Sequence, residues 1–153
     1  MTALTTHVLN TSNGKPASNL YIELIFYQGT KKINCGNFIT NADGRLDQPL
    51  LSGKDFKLGT YDLIFHVKDY LLENKLVDSQ YNFYNKIRIN FTISNINQHY
   101  HIPLLISPYG YSTYRGSWFM SYVFFEWTEF LVRWFHVIAG IAWIGSSFYF
   151  IAL

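Results

Sequence analysis

HYHIPLLISPYGYSTYRGS, His99–Ser117, sets two histidines, a prolyl break, an arginine and several hydroxyls in one short polar-aromatic run. His99 and His101 are two residues apart, so in extended chain both imidazoles point to the same face. Pro103 lacks a backbone donor and favours an edge strand or a strand end. Leu104, Leu105 and Ile106 are apolar enough to bury, Ser107-Pro108-Tyr109-Gly110 is turn chemistry, and Tyr111–Ser117 returns from it. The stretch therefore reads as β structure presenting titratable groups. Imidazoles titrate near neutral pH, and a pair of them beside an arginine suits proton transfer. Taken alone, the pair reads most simply as surface histidines on an exposed strand.

Working outward, the segment before this run carries further strands. Thr5–Leu9 alternates weakly and holds His7 near its start, and Asn10–Pro16 is loop. Leu20–Tyr27 (LYIELIFY) and Ile33–Thr40 are rich in β-branched and aromatic residues. The turn Asn41-Ala42-Asp43-Gly44 delivers Arg45 immediately after it. Leu46–Leu51 is short and leads into a connection at Ser52-Gly53-Lys54. Gly59–Val67 alternates, with Tyr61, Leu63 and Phe65 on one side, and Asp69–Leu76 predicts a short helix. In Tyr84–Ile93, Ile87, Ile89, Phe91 and Ile93 share one face while Lys86, Arg88 and Asn90 take the other. That is a half-buried antiparallel strand. Seven or eight short strands with regular turns and one short helix predict a mainly β protein, a β-sandwich.

At 153 residues the chain has room for one ordinary domain plus an appendage. A net charge of +2 carries no nucleic-acid footprint. The single cysteine, Cys35, rules out an internal disulfide. Neither a metal-ligand constellation nor a Gly-rich phosphate loop is visible. Composition changes sharply near Ser117: all four tryptophans lie beyond it, and the last lysine is Lys86. The expected domains are therefore 1–117 and 118–153.

The segments Leu4–Leu20 (LTTHVLNTSNGKPASNL), Asn41–Leu51 (NADGRLDQPLL) and His99–Ser117 resemble 5-hydroxyisourate hydrolases, the transthyretin-like enzymes of urate breakdown. Tyr114-Arg115-Gly116-Ser117 is similar to the tetrapeptide that closes those enzymes. The resemblance implies a transthyretin (prealbumin)-like sandwich of two four-stranded sheets, assembled as a homotetramer with its sites in the dimer–dimer channel. It implies hydrolysis of 5-hydroxyisourate to 2-oxo-4-hydroxy-4-carboxy-5-ureidoimidazoline without a cofactor. Carried over motif by motif, the catalytic residues are His7, Arg45, His101 and Ser117, with His7, Arg45 and Tyr114 binding substrate. Either His7 or His101 is then the base that activates water, and His99 is a supporting or solvated group. A transthyretin-like module that binds a ligand without chemistry is the rival reading, and a non-catalytic assembly domain is another.

Trp134–Leu153 (WFHVIAGIAWIGSSFYFIAL) holds 20 residues and no formal charge. As a helix it measures roughly 30 Å, about the hydrocarbon thickness of a bilayer. Trp118, Tyr122, Trp127 and Trp134 precede or open it as interfacial aromatics would. A transmembrane helix is therefore expected over about 134–153, behind an aromatic interfacial segment. Arg133–Leu153 resembles the first transmembrane helix of bacterial membrane-bound, cytochrome c-linked urate oxidase. That resemblance implies a membrane-anchored hydrolase fused to the start of a urate oxidase, which would then be a partner. With no basic start or apolar run at the amino end, the hydrolase domain is expected in the cytoplasm, and Arg133 ahead of the span agrees. His136, inside that span, is given no role.

Overall fold

The apolar alternation along the chain lays down nine strands and two helices in a computed structural model that describes residues 2–77, 82–116 and 120–151. In order they are β1 (Ala3–Asn10), β2 (Lys15–Pro16), β3 (Tyr21–Gln28), β4 (Lys31–Ile39), β5 (Leu51–Ser52), β6 (Gly59–Phe65), α1 (Val67–Glu73), β7 (Ile87–Ile93), β8 (Tyr100–Ser107), β9 (Gly110–Thr113) and α2 (Met120–Ile151). The chain divides into two compact units, Met1–Ser117 and Trp118–Leu153.

The first unit is a two-sheet, mainly β body. One sheet runs β4-β3-β6-β7, antiparallel throughout. The other runs β2-β1-β8-β9 and gains β5, which pairs with the start of β1, so it has five strands and not the expected four. The extra strand comes from the connection around Ser52, whose two residues pair with Ala3 and Leu4. Inward-facing residues of both sheets meet in one core: Leu4 and Val8 from β1, Ile22 and Leu24 from β3, Leu63 and Phe65 from β6, Leu104 and Ile106 from β8. Removing such side chains from water is the main favourable term in folding. The helix α1 begins two residues earlier than the sequence predicts and buries Val67, Tyr70 and Leu71.

Two features depart from simple strand reading. All of Tyr61–Phe65 is buried, not one face of it. The buried Asp62 carboxylate takes hydrogen bonds from the Tyr27 hydroxyl (2.5 Å) and the Asn90 amide (2.8 Å), with Arg88 at 3.5 Å. Burial of that carboxylate is thus matched by partners. The second feature is Pro103, which lies inside β8, between β1 and β9, not at an edge. The register puts it beside His7 on β1, and the ladder to β9 stops after Leu104↔Thr113 and resumes as a bridge at His101↔Gly116. Pro103 has no N–H to donate across to Tyr114, so the ladder breaks where the donor is missing.

In the second unit α2 covers 32 residues. Among the described residues no helix is both long and apolar enough to cross a membrane. The span expected over residues 134–153 falls partly outside the described residues, which stop at Ile151 and leave out the side chains of 142 and 145–151. The described side chains run from Trp127 to Ile141 with Trp143 and Ile144, and that stretch includes Glu129, Arg133 and His136. Glu129 and Arg133 approach to 3.9 Å as an i,i+4 pair. Such an exposed pair contributes little.

Candidate active site

Three sequence segments far apart in the chain converge on the outer face of the β1–β8 pair. Along β1 the residues Leu4, Thr6, Val8 and Asn10 are buried, leaving Thr5, His7 and Leu9 on the opposite face. On β8, His101 and Leu105 share that outward face. The parallel register sets Thr5 beside His101 and His7 beside Pro103, so His7 and His101 are diagonal neighbours. An antiparallel bridge joins His7 to Arg45 on the other side of β1. His7, Arg45 and His101 therefore lie together.

The turn before Arg45 is held by Asn41. Its side-chain oxygen accepts the N–H groups of Asp43 (3.0 Å) and Arg45 (3.1 Å), and its amide donates to Asp47 at 2.8 Å. This is the local side-chain–backbone bonding that makes Asn a turn former. Gly44 has φ +67°, and a Cβ there would stand 2.3 Å from the Val8 carbonyl oxygen. The Val8 N–H in turn donates to the Gly44 carbonyl at 2.8 Å. Glycine is needed because the turn lies directly on β1, one residue from His7, and it sets Arg45 beside that histidine.

His101 is held on two sides. The Thr5 hydroxyl lies 2.9 Å from its Nδ1 and 3.1 Å from Nε2 of His99. Gly116 donates its N–H to the His101 carbonyl at 2.8 Å, and a Cβ on Gly116 would meet the ring Cδ2 at 2.7 Å. Neither Thr5 nor Gly116 stands out in the sequence. The signal for Thr5 is its position two residues before His7 in a strand. For Gly116 only the closing tetrapeptide points that way.

Electrostatics favour neutral imidazoles here. Burial pushes the pKa of His7 below its ordinary 6.5 and the charge of Arg45 adds to this, against the opposing hydrogen bond and charge of Asp43. Burial also lowers His101, followed by Arg45, His7 and His99. His99 is lowered too, chiefly by burial. A neutral imidazole near pH 7 can accept a proton, and a guanidinium alongside can hold an anion. Tyr114 is 58% exposed and lines a cavity with Tyr100, Ile102 and Arg115. Ser117 lies outside the described residues. The cavities lined by Cys35 and Tyr61 (about 610 Å³) and by Tyr114 and Arg115 (about 250 Å³) include none of His7, Arg45 and His101. Arg45 is exposed, and His7 and His101 are half-buried. Among the described residues no group of three or more His, Cys, Asp or Glu side chains is placed to hold a metal ion.

The HIUase/Transthyretin family profile matches residues 4–116. The chain belongs to the HIUase/transthyretin family. It is 47% identical over 115 residues to a 5-hydroxyisourate hydrolase of Halalkalibacterium halodurans, a match that covers 74% of this chain and 97% of that protein. The solved 5-hydroxyisourate hydrolase of Klebsiella pneumoniae superposes with a TM-score of 0.62 at 31% identity, covering 76% of this chain and all of that one. A solved (S)-allantoin synthase gives a TM-score of 0.71 at 42% identity over 75% of this chain, and the chain spans only 43% of it. The fold is thus the transthyretin-like one. A second profile, the urate oxidase N-terminal family, matches residues 122–153.

Proposed function

We propose that this chain is a 5-hydroxyisourate hydrolase that opens its substrate by histidine-assisted attack of water on a ring carbonyl. The observation that carries this reading is the convergence of His7, Arg45 and His101, from three separated motifs, on one sheet face. Support comes from hydrolase relatives matched over nearly their whole length.

Water attacks a ring carbonyl while His101 takes its proton, and negative charge develops on the carbonyl oxygen. Arg45 anchors the anionic ring and stabilises that charge. Collapse of the adduct breaks the ring C–N bond, the proton returns from the imidazolium to the departing nitrogen, and a ureido group and a carboxylic acid remain, the acid losing water's second proton to solvent as it ionises to the carboxylate. One water is consumed and no electrons change hands, so no redox cofactor is called for. The product is 2-oxo-4-hydroxy-4-carboxy-5-ureidoimidazoline. His7, Tyr114 and Ser117 supply further hydrogen bonds to the substrate. Assembly as a homotetramer would enclose these groups between copies, where charge interactions strengthen.

The test is a spectrophotometric assay on freshly generated 5-hydroxyisourate. Ring opening well above the spontaneous rate is expected. A spontaneous rate together with tight binding of the ring would favour a non-catalytic binding module.

The match of residues 122–153 to urate oxidase N-termini favours a second reading, for the tail alone. Residues 118–153 would tether the hydrolase unit to a urate oxidase at a membrane, with the hydrolase on the cytoplasmic side. An oxidase that produces 5-hydroxyisourate beside the hydrolase would hand over an unstable product at high local concentration. Sedimentation of the full chain with membranes, released by detergent and not by high salt, is expected. Recovery in the soluble fraction would discard the membrane part of this reading.

A further inference from the structure

We infer that Thr5 is a positioning residue for His101, fixing its tautomer through a hydroxyl link to His99. This deepens the hydrolase reading and rests on it for its kinetic arm. The Thr5 oxygen stands 2.9 Å from Nδ1 of His101 and 3.1 Å from Nε2 of His99, with the Tyr100 carbonyl further away at 3.5 Å. A hydroxyl carries one proton and two acceptor positions. With one proton to give, to either imidazole or to the Tyr100 carbonyl, it cannot donate to both rings, so at least one ring presents an N–H to it and the two tautomers are coupled.

One of these arrangements suits a base. His101 donates Nδ1–H to Thr5, Thr5 donates its own proton to Nε2 of His99, and the lone pair of His101 sits on Nε2. When Nε2 takes a proton from water, the Nδ1–H bond to Thr5 becomes charge-assisted and stronger. The same logic governs the group that orients any catalytic imidazole: it holds the ring in the tautomer the reaction needs.

The backbone supports this assignment. Thr5 is directly beside His101 in the parallel register, on the outward face, while its neighbour Thr6 turns inward and donates to the Ile102 carbonyl at 2.7 Å. The two adjacent threonines therefore have separate tasks, Thr6 tying β1 to β8 and Thr5 serving the imidazoles. Gly116 closes over the other side of the ring, so near that a Cβ there would stand 2.7 Å from Cδ2, and this limits ring rotation.

The experiment compares Thr5→Val, which keeps the shape and removes the hydroxyl, with Thr5→Ser, which keeps the hydroxyl. In the full chain, imidazole nitrogen shifts measured by NMR with labelled histidine report the His101 tautomer without substrate. The native chain and Thr5→Ser are expected to show one His101 tautomer, protonated at Nδ1, and Thr5→Val a mixture. In the assay, Thr5→Val is expected to lose roughly three- to tenfold in kcat, the worth of one hydrogen bond, with KM little changed and Thr5→Ser near native. An unchanged His101 tautomer in Thr5→Val, or equal losses in Val and Ser variants, would overturn the inference. If the native chain opened no substrate, the hydrolase reading would fail while the NMR arm still decided the role of Thr5.

Discussion

Replacing Gly116 by alanine tests whether the closing tetrapeptide acts on the His101 ring. The added methyl would meet Cδ2 of His101 at 2.7 Å, with Cβ at 3.2 Å and Cγ at 3.3 Å. Ordinary contacts begin near 3.4 Å, so the ring and the 116 backbone must separate by about 0.7 Å. Gly116 is not among the positive-φ glycines, so backbone strain adds nothing and the whole effect falls on the neighbouring ring. Displacements near 1 Å at a reacting group can cost about a hundredfold in rate. We therefore expect kcat of Gly116→Ala to fall roughly ten- to a hundredfold, with a melting temperature within a few degrees of native. Gly110→Ala is the control: it lies at the other end of β9, where a Cβ meets only the Ser107 hydroxyl at 3.5 Å, and should leave kcat unchanged. Stopped-flow decay of 5-hydroxyisourate absorbance measures both variants. A Gly116→Ala rate within threefold of native would refute the reasoning, because the crowding would then not reach the chemistry.

Gly44→Ala should act on stability first. It places a side chain at φ +67° and 2.3 Å from the Val8 carbonyl oxygen, which also accepts the Ala17 N–H at 2.9 Å. Left-handed strain of about 1–2 kcal/mol and one disrupted hydrogen bond of about 1 kcal/mol give a loss of roughly 2–3 kcal/mol, read as a lower urea midpoint; an unchanged midpoint would contradict the geometry. The acid side follows from the lowered imidazoles. In the unfolded chain histidines take up protons near pH 6.5, whereas His7, facing Arg45 and Asp43, and His101, facing Arg45, His7 and His99, resist until lower pH. The unfolded state thus binds more protons below 6.5, so stability is retained above that value and falls as pH drops through the window beneath it. Urea midpoints of native protein and a His7→Asn/His101→Asn variant should converge at about pH 5 relative to about pH 7.5. The same protonation should reduce kcat/KM on the acid limb, with an apparent pKa below 6.5.

Much of the sandwich is legible because each strand carries its own alternation. Ile87–Ile93 shows it: Ile87 and Ile93 are buried while Arg88, Asn90 and Thr92 are exposed. What escapes is non-local. Nothing in Leu51-Ser52 announces that it pairs with the first strand, and the burial of Asp62 depends on Tyr27 and Asn90 arriving from other strands. Pro103 reads as a strand-end signal, yet it sits mid-sheet because the ladder position opposite it is left open. In the site, His7, Arg45 and His101 are reached through their motifs, and their meeting follows from parallel pairing of the first strand with β8, which alternation alone does not reveal. Thr5 stays hidden because a lone threonine in a strand looks like β propensity. In the tail, the charge-free run of 20 residues reads as a span from its composition alone, and part of that run falls outside the described residues.

The most direct test of the site is the single-turnover rate of 5-hydroxyisourate opening by His101→Asn, measured beside native protein of matched melting temperature. Loss of a general base should lower that rate about a hundred- to ten-thousandfold. A variant that folds normally and opens the ring as fast as the native chain would show that His101 is not the base.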